Sequence, residues 1–305
     1  MDKFHGIVGP PESHGEAGRS LRLTHRYIQI DAQSGFRSLN LAQLDGTLLA
    51  LDWVVGETHH IWGSAVMVAP GVALTARHTV DEMRNKGFLG RAGGYLLALG
   101  FHNDGMAIWN PDSFTTIEDG DLSILTLVRT TASPAAAKTI TVNVAILAAR
   151  QPLLGESISL IGFAASEAKF EKLTQDRGAG LALLGSVGPV TDVYPTGRDQ
   201  SLPNPSAGVS AKTVGGMSGG AAFDVQGRLI GIITSGIGDE LSFISLSWPT
   251  VFTPVEVTWP PGFFQESVSL HAMSQQGFCR IENIDALSSR VDERGEPLVG
   301  LISDL

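Results

Sequence analysis

The sequence is poor in cysteine, in positive charge and in long apolar runs. Cys279 is the only cysteine among 305 residues, so the chain cannot form an intrachain disulfide. Secreted enzymes of this size often carry disulfides, and the scarcity therefore favours a reducing compartment. No stretch approaches the ~20 consecutive apolar residues of a membrane-spanning helix, so we expect no membrane association.

The N-terminal segment also lacks a feature that secreted proteins carry. Residues 1–18 are polar, include Pro10 and Pro11, and contain no apolar core of the signal-peptide type. Together with the single cysteine, this predicts a cytoplasmic protein.

Basic residues are outnumbered, with 21 Lys and Arg against 31 Asp and Glu and a formal net charge of −10. Nucleic-acid binding usually needs a basic face, and no long basic run supplies one, so we predict no nucleic-acid partner.

His59 and His60 are adjacent on a predicted strand and would point to opposite faces, which makes them a poor pair of metal ligands. The sequence therefore predicts neither a metal nor a cofactor.

Short apolar segments bounded by Gly, Pro, Asp or Asn dominate the middle of the chain, which is typical of an all-β barrel or sandwich. The predicted strands are residues 48–53, 61–68, 72–76, 95–101, 106–109, 122–128, 140–145, 157–163, 181–187, 208–211, 221–223, 229–234 and 241–246. A linker-like stretch at 134–138 divides them into two halves.

The two ends of the chain differ from this pattern. Residues 1 to about 25 lack clear periodicity and are predicted to form a loose arm, and residues 26–44 have room for one extra strand. Near the other end, Trp259-Pro260-Pro261-Gly262 is predicted to interrupt regular secondary structure. A helix is predicted for 284–291, and the sequence leaves open whether this tail packs on the rest of the protein.

Three segments carry residues suited to catalysis. His78 follows a buried apolar segment, where a general base would be held in position. Asp121 precedes an alternating strand, and a carboxylate there can orient a histidine ring. Ser218 stands between glycines, which permit a tight loop that aims backbone N–H groups at one point.

Each segment alone is more often structural: a hydrogen-bonded histidine, a capping aspartate, a serine in a loop. Their order in the chain, His then Asp then Ser, is more specific than any one of them. Asp119 is a rival to Asp121, but it has a different register to the strand that follows. Cys279 lies outside the predicted barrels with no Cys–His motif around it, and we interpret it as a structural or surface thiol.

The sequence resembles the trypsin/chymotrypsin-like serine peptidase family, and in particular intracellular HtrA-type protease domains without a PDZ domain. Four motifs carry the resemblance: LTARH (74–78), DLSIL (121–125), GMSGG (216–220) and GIITSG (231–236). The resemblance implies two six-stranded antiparallel β-barrels with a site in the cleft between them. The implied organisation is an N-terminal arm (1–46), a protease domain (47–255, with barrels at about 47–132 and 139–255) and a C-terminal extension (256–305).

The resemblance also implies roles for individual residues. Ser218 would be the nucleophile, His78 the general base and acid, and Asp121 the group that orients His78. Backbone N–H groups of Gly216 and Ser218 would form the oxyanion hole. Implied substrate-binding residues are Lys212, Thr213, Thr234, Ser235 and Gly236, with Thr234 also a candidate hydrogen-bond partner of Asp121.

Two positions depart from secreted members of that family. Met217 precedes the serine where trypsins carry an aspartate that pairs with a new N-terminus, so Gly6-Ile7-Val8-Gly9 is interpreted as a coincidental match to such a terminus. Lys212 stands where trypsins carry an aspartate at the floor of the specificity pocket, which disfavours cleavage after Arg or Lys. An inward Lys212 would favour an acidic residue, whereas an outward Lys212 would leave a small or apolar pocket.

The sequence is compatible with three functions. The first is an active serine endopeptidase acting on a protein or peptide substrate. The second is a non-catalytic module of the same fold that binds a partner protein, although binding alone does not need all three side chains. The third is a latent enzyme that an activating partner protein switches on.

Overall fold

The structure of the protein is a computed structural model. It describes residues 3–7, 20–30, 35–85, 94–103, 105–117, 120–130, 139–169, 181–200, 202–238, 240–264, 267–291 and 297–302. Within these ranges, no helix has the length and hydropathy that crossing a bilayer would need.

Strands account for most of the regular structure. The strands of the first half are β1 (Lys3–Ile7), β2 (Ser20–Arg26), β3 (Arg37–Leu39), β4 (Leu48–Val55), β5 (Thr58–Ala69), β6 (Val72–Thr75), β7 (Gly94–His102), β8 (Gly105–Thr116) and β9 (Ser123–Arg129). The remaining strands are β10 (Thr139–Ala145), β11 (Leu147–Ala148), β12 (Ser157–Phe163), β13 (Ser166–Lys169), β14 (Leu183–Tyr194), β15 (Ser206–Val209), β16 (Ala221–Phe223), β17 (Leu229–Ile237), β18 (Leu241–Leu246), β19 (Ile281–Glu282), β20 (Leu287–Val291) and β21 (Pro297–Leu301). The helices are α1 (Arg77–Asn85) and α2 (Leu270–Gln275), with short 3₁₀ turns at Leu41–Leu44, Trp248–Thr250 and Ile284–Ala286.

Six antiparallel strands close the first barrel. Hydrogen bonding runs in the order β5-β4-β7-β8-β9-β6, and β6 pairs back with β5. Strands β4 and β6 are buried along nearly their whole length, which explains why they are apolar except for Asp52 in β4 and Thr75 in β6. The turn into β6 uses Gly71 at a φ of 70°.

The second barrel also contains six antiparallel strands, in the order β12-β14-β15-β18-β17-β16, and pairing of β16 with β12 closes it. After β12, the chain enters β13, which pairs with β5 of the first barrel. The two barrels therefore meet where β12 ends.

This architecture confirms the predicted all-β fold with two six-stranded antiparallel barrels. Each predicted strand between residues 48 and 246 overlaps an observed one. One assignment to a barrel was wrong: residues 140–145 belong to β10, which lies in a separate sheet of order β1-β2-β10. The linker-like stretch 134–138 lies outside the described residues.

The N-terminal region contributes strands, which the prediction of a loose arm for residues 1–25 did not include. β2 runs parallel to β10 and antiparallel to β1. Leu21 and Leu23 are buried while Arg22 is exposed, an alternation that was visible in the sequence. In the segment 26–44, the apolar patch at residues 27–30 was the candidate for one extra strand, but the strand that forms is β3 at residues 37–39, followed by a 3₁₀ turn.

The tail packs on the rest of the molecule, which answers the question that the sequence left open. Val257, Trp259 and Met273 belong to the same buried apolar cluster as the first barrel. Strand β19 runs parallel to β11, and Arg228 donates from Nη1 to Glu282 Oε2 at 3.0 Å. These contacts tie the tail to both the core and the second barrel.

The helix predicted at 284–291 was wrong. Residues 284–286 form a 3₁₀ turn, and the next five residues form β20, which pairs with β21. Leu287 and Leu301 are buried in the second apolar cluster. Pairing with the next strand in the chain and burial of Leu287 and Leu301 outweigh the local helical preference.

Candidate active site

Helix α1 positions His78 at the edge of the first barrel. The helix begins at Arg77, after the fully buried β6 and Ala76. Thr79, Val80 and Met83 face the core, while the side chain of His78 remains 45% exposed. The buried strand thus delivers the histidine as predicted, but into the first turn of a helix.

Asp121 holds His78 through two hydrogen bonds. Its Oδ1 accepts from the backbone N–H of His78, and its Oδ2 is paired with His78 Nδ1, each at 2.8 Å. The Asp121 side chain is only 13% exposed, so the charge-assisted bonds are largely shielded from water. Since Nδ1 faces a carboxylate, the neutral ring carries its proton on Nδ1 and leaves Nε2 as the basic nitrogen.

Acidic neighbours raise the pKa of His78. Partial burial of the imidazole opposes its charged form, but the bond to Asp121 and the charges of Asp121, Glu82 and Asp81 outweigh that effect. The pKa of His78 therefore lies above its usual 6.5.

Ser218 lies in a loop in which two positions, Gly216 and Gly219, require glycine. Gly216 and Gly219 adopt φ values of 88° and 83°, as the glycine pattern predicted. A β-carbon on Gly216 would lie 2.2 Å from Ala165 N, and one on Gly219 would lie 2.0 Å from Ser64 O. Both the backbone angles and the close approach of neighbouring chain therefore require glycine.

Two backbone N–H groups of this loop are unpaired within the described part of the chain. From Gly216 to Gly220, the N–H groups of Met217, Gly219 and Gly220 donate to backbone carbonyls at 2.8 to 3.1 Å. The N–H groups of Gly216 and Ser218 have no such acceptor among the described residues. Unpaired donors beside a serine hydroxyl are the arrangement that an oxyanion hole requires.

Gly63 and Ser64 of β5 join the loop to the barrel that carries His78. Ser64 N–H donates to Ser218 O at 2.8 Å. A β-carbon on Gly63 would lie 2.5 Å from the Thr79 side chain and 3.3 Å from Ser218 O. The residue after His78 and the serine loop thus pack against the same short stretch of strand.

The hydroxyl of Ser218 donates to the backbone carbonyl of Thr234 at 3.2 Å. Among the described residues, no hydrogen bond joins it to His78. The usual O–H···O distance is about 2.5–3.0 Å, so the bond to Thr234 is a weak one.

A cavity of about 180 Å³ opens beside Ser218. Its described lining contains no charged side chain and consists of Thr213, Val214, Gly215, Ser218, Ile233, Ser235, Gly236 and Gly238. Lys212 is not part of that lining; its Nζ lies 5.5 Å from the centroid of the Phe36 ring. His78 and Asp121 line a second cavity of about 280 Å³ with Arg77, Asp81, Gly120, Gln200 and Pro203.

One predicted contact was wrong, and one partner was missed. The Thr234 hydroxyl donates to Phe243 O at 3.1 Å instead of to Asp121. Asn204, which is buried, accepts from the Asp121 backbone N–H at 3.1 Å. No local sequence signal marks Asn204, because the contact joins segments 83 residues apart.

Other candidate residues lie elsewhere. His59 pairs through Nδ1 with the buried Asp52 inside the first barrel, and Cys279 is a buried thiol whose pKa is raised by burial. Asp119 lies outside the described residues, as do Val8 and Gly9. In the described ranges, no three His, Cys, Asp or Glu side chains are grouped as metal ligands.

Comparison with known families identified one match. Residues 63–232, more than half of the chain, match the model of the trypsin-like peptidase domain. This range includes His78, Asp121, the Ser218 loop and the first half of β17. Comparison with curated proteins found no similar sequence.

Several solved structures are similar to this chain at low identity. One is the MamO protease domain from Magnetospirillum magneticum in its apo form, with 16% identity, coverage of 67% of this chain and 93% of that chain, and a TM-score of 0.45. The Glu endopeptidase in complex with MPD has 14% identity, coverage of 70% and 92%, and a TM-score of 0.45. The Rv3671c protease from M. tuberculosis in its active form has 11% identity, coverage of 73% and 89%, and a TM-score of 0.43.

Proposed function

The chain belongs to the trypsin-like peptidase family, and we propose that it is a serine endopeptidase with His78, Asp121 and Ser218 as its catalytic triad. The proposal is carried by one arrangement. Thr79, the residue after the aspartate-held His78, and the loop that carries Ser218 and two unpaired N–H groups pack against the same stretch of β5. A binding module would need neither the oriented imidazole nor the unpaired donors.

In the acylation step, Ser218 Oγ attacks the carbonyl carbon of the scissile peptide bond while His78 Nε2 accepts its proton. The carbonyl oxygen becomes negative and is stabilised by the N–H groups of Gly216 and Ser218. Asp121 stabilises the imidazolium that forms. Breakage of the C–N bond follows, with His78 giving its proton to the leaving amine.

Deacylation repeats these roles with water. His78 accepts a proton from water, which attacks the ester carbonyl, and then returns the proton to Ser218 Oγ. The products are the carboxylic acid and the free enzyme. To begin a cycle, Ser218 exchanges its weak bond to Thr234 O for one to His78, a rotation that forfeits little energy.

Covalent labelling tests the proposal directly. A fluorophosphonate probe should label the wild-type protein at one site, which peptide mapping should place at Ser218. Ser218→Ala should remain unlabelled, and His78→Ala should label far more slowly because its serine keeps its proton. Ser289→Ala, at an exposed serine of β20, is the matched control and should label like the wild type.

A folded wild-type protein that resists the probe would overturn the proposal. Circular dichroism and a thermal melt on the same sample would establish that it is folded. The protein would then be better described as a non-catalytic module of the same fold.

The cavity beside Ser218 supports specificity for a small uncharged residue on the acyl side of the cleaved bond. With about 180 Å³ and no charged side chain in its described lining, it has no partner for an arginine, lysine or glutamate. Residues of the size of Ala, Ser, Thr or Val fit such a space. The position of Lys212 over Phe36 supports the outward alternative for this lysine.

Cleavage of a peptide library, read by mass spectrometry, should show cuts after small uncharged residues. Acidic residues at that position should be disfavoured by at least about 10-fold, since burying a charge without a partner is costly. An acidic preference that Lys212→Met abolishes would contradict this expectation and support an inward lysine.

The acid limb of the pH profile should depend on the carboxylates around His78. Only neutral His78 can accept the Ser218 proton, so kcat/KM should rise with pH through the pKa of His78, above 6.5. The double variant Asp81→Asn, Glu82→Gln removes two charges that favour the imidazolium, so its acid limb should move to lower pH. Asp285→Asn, at an exposed and remote acid, should leave the limb unchanged, and a limb that stays in place in both variants would contradict this assignment.

A further inference from the structure

Ser64 lies at the junction between the two barrels with every polar atom engaged. It is fully buried in β5. Its N–H donates to Ser218 O at 2.8 Å, and its hydroxyl donates to Gly216 O at 3.1 Å. The same hydroxyl accepts from Phe163 N–H at 2.9 Å, and its carbonyl accepts from the Thr75 hydroxyl at 2.7 Å.

These bonds constrain the peptide groups on both sides of Gly216. The Gly215 carbonyl is held by Ala165 N–H at 2.7 Å, and the Gly216 carbonyl is held by Ser64 Oγ. In a trans peptide the C=O and N–H groups point in opposite directions. Holding the Gly215 carbonyl at Ala165 therefore directs the Gly216 N–H away from Ala165, and holding the next carbonyl prevents rotation about Gly216.

Gly216 needs such restraint because glycine itself supplies none. Its φ of 88° is one of many backbone conformations that glycine populates readily. Met217, the next residue, has a buried apolar side chain that can form no salt bridge to anchor the loop. Among the described side chains, the Ser64 hydroxyl is the only hydrogen-bond donor to the Gly216 carbonyl.

We propose that Ser64 is a positioning residue that holds the Gly216 and Ser218 N–H groups in the orientation needed to bind the oxyanion, an inference that rests on the proposed peptidase function. Its two remaining contacts extend this role. The Ser64 hydroxyl also accepts from Phe163 at the end of β12 in the second barrel, and the Ser64 backbone carbonyl accepts from Thr75, in the strand that leads into His78. Ser64 thus links the oxyanion donors to the strand that precedes the general base.

The test compares Ser64→Ala with Ser247→Ala. Ser247 is also fully buried, and its hydroxyl donates to the backbone carbonyl of Ile230 at 3.2 Å, away from the serine loop. Both variants lose a buried hydroxyl bonded to a backbone carbonyl, and Ser64→Ala also leaves the Phe163 N–H without its acceptor, so we expect the larger fall in melting temperature for Ser64→Ala. Catalysis is therefore compared at a temperature at which both variants are fully folded, so that a difference between them reports the position of the lost hydroxyl.

Ser64→Ala should lower kcat by about 10- to 100-fold with KM nearly unchanged, somewhat less than the 10²- to 10³-fold cost of deleting an oxyanion donor. The inhibition constant of a peptide aldehyde, which forms a tetrahedral adduct in the oxyanion hole, should rise by a similar factor. Ser64→Cys retains a weak donor of similar size and should lie between the wild type and Ser64→Ala. Equal kcat and equal aldehyde inhibition in Ser64→Ala and Ser247→Ala would overturn the proposal.

Hydrogen exchange keeps this test separate from the test of the peptidase function. Ser64→Ala should exchange the amides of residues 215–220 faster than the wild type, and Ser247→Ala should not. This holds whether or not the wild type hydrolyses peptides, so an inactive wild type would contradict only the proposed function. Unchanged hydrogen exchange in residues 215–220 of Ser64→Ala would overturn the proposed role of Ser64. If Ser64→Ala does not fold, Ser64→Cys and Ser247→Cys are compared in the same way.

Discussion

Ser218→Ala should reduce peptide hydrolysis by about 10⁶-fold while the protein keeps its fold, because the reaction loses its nucleophile and the proton that His78 accepts. The Ser218 hydroxyl makes one weak bond, to Thr234 O at 3.2 Å, so its loss should leave the melting temperature nearly unchanged. The loop itself is held by backbone bonds and by Gly216 and Gly219, which the substitution does not touch. The measurement is kcat/KM on a peptide cut by the wild type.

Ser289→Ala removes an exposed hydroxyl in β20 and should retain full activity. A Ser218→Ala protein with more than about 1% of wild-type activity would place the nucleophile elsewhere, since residual catalysis by the oxyanion hole and binding alone reaches only about 10³- to 10⁴-fold over water.

Asp121→Asn should lower kcat/KM by about 10⁴-fold without removing any residue that touches the substrate. The reason lies in the two bonds that the carboxylate accepts from His78, one from the backbone N–H and one at Nδ1. The backbone N–H of His78 can only donate, so it must form its hydrogen bond with the single amide oxygen of an asparagine. The NH₂ group then faces Nδ1, which must become an acceptor, and the ring proton moves to Nε2, where it blocks proton transfer from Ser218.

Asp285→Asn, a charge loss of the same kind at an exposed residue of the tail, should leave kcat/KM unchanged. The labelling rate of Asp121→Asn with a fluorophosphonate should fall in parallel with its hydrolysis. If Asp121→Asn kept more than about a tenth of the activity, the orienting role would belong to another acid, and Asp119 would become the first candidate to test.

The candidate site was predictable to the extent that it depends on short local patterns. The glycines around Ser218 predicted a loop with positive φ values, and Gly216 and Gly219 have them. The apolar run before His78 predicted a buried strand, and β6 is fully buried. Such features depend on neighbours within a few residues, and a single sequence contains them in full.

Contacts between distant segments were not predictable in this way. Ser64 reaches Gly216 across 152 positions, and nothing in its own neighbourhood marks it as part of a site. The expected bond from Thr234 to Asp121 does not form, and the threonine hydroxyl donates instead to the carbonyl of Phe243 in β18. A side-chain hydroxyl takes whichever partner the packed barrels present, and the local sequence does not specify that choice.

The sequence by itself determined the all-β class, the strands of both barrels and the order of the three candidate catalytic residues. These follow from apolar periodicity, turn residues and motif spacing, which act over short distances. Only the tertiary structure decided that Lys212 lies over Phe36, that Asn204 supports Asp121 and that tail residues such as Val257, Trp259 and Met273 pack on the core. Each of these depends on which surfaces meet when the barrels close, because burial and hydrogen bonding are settled by the partners that folding brings together.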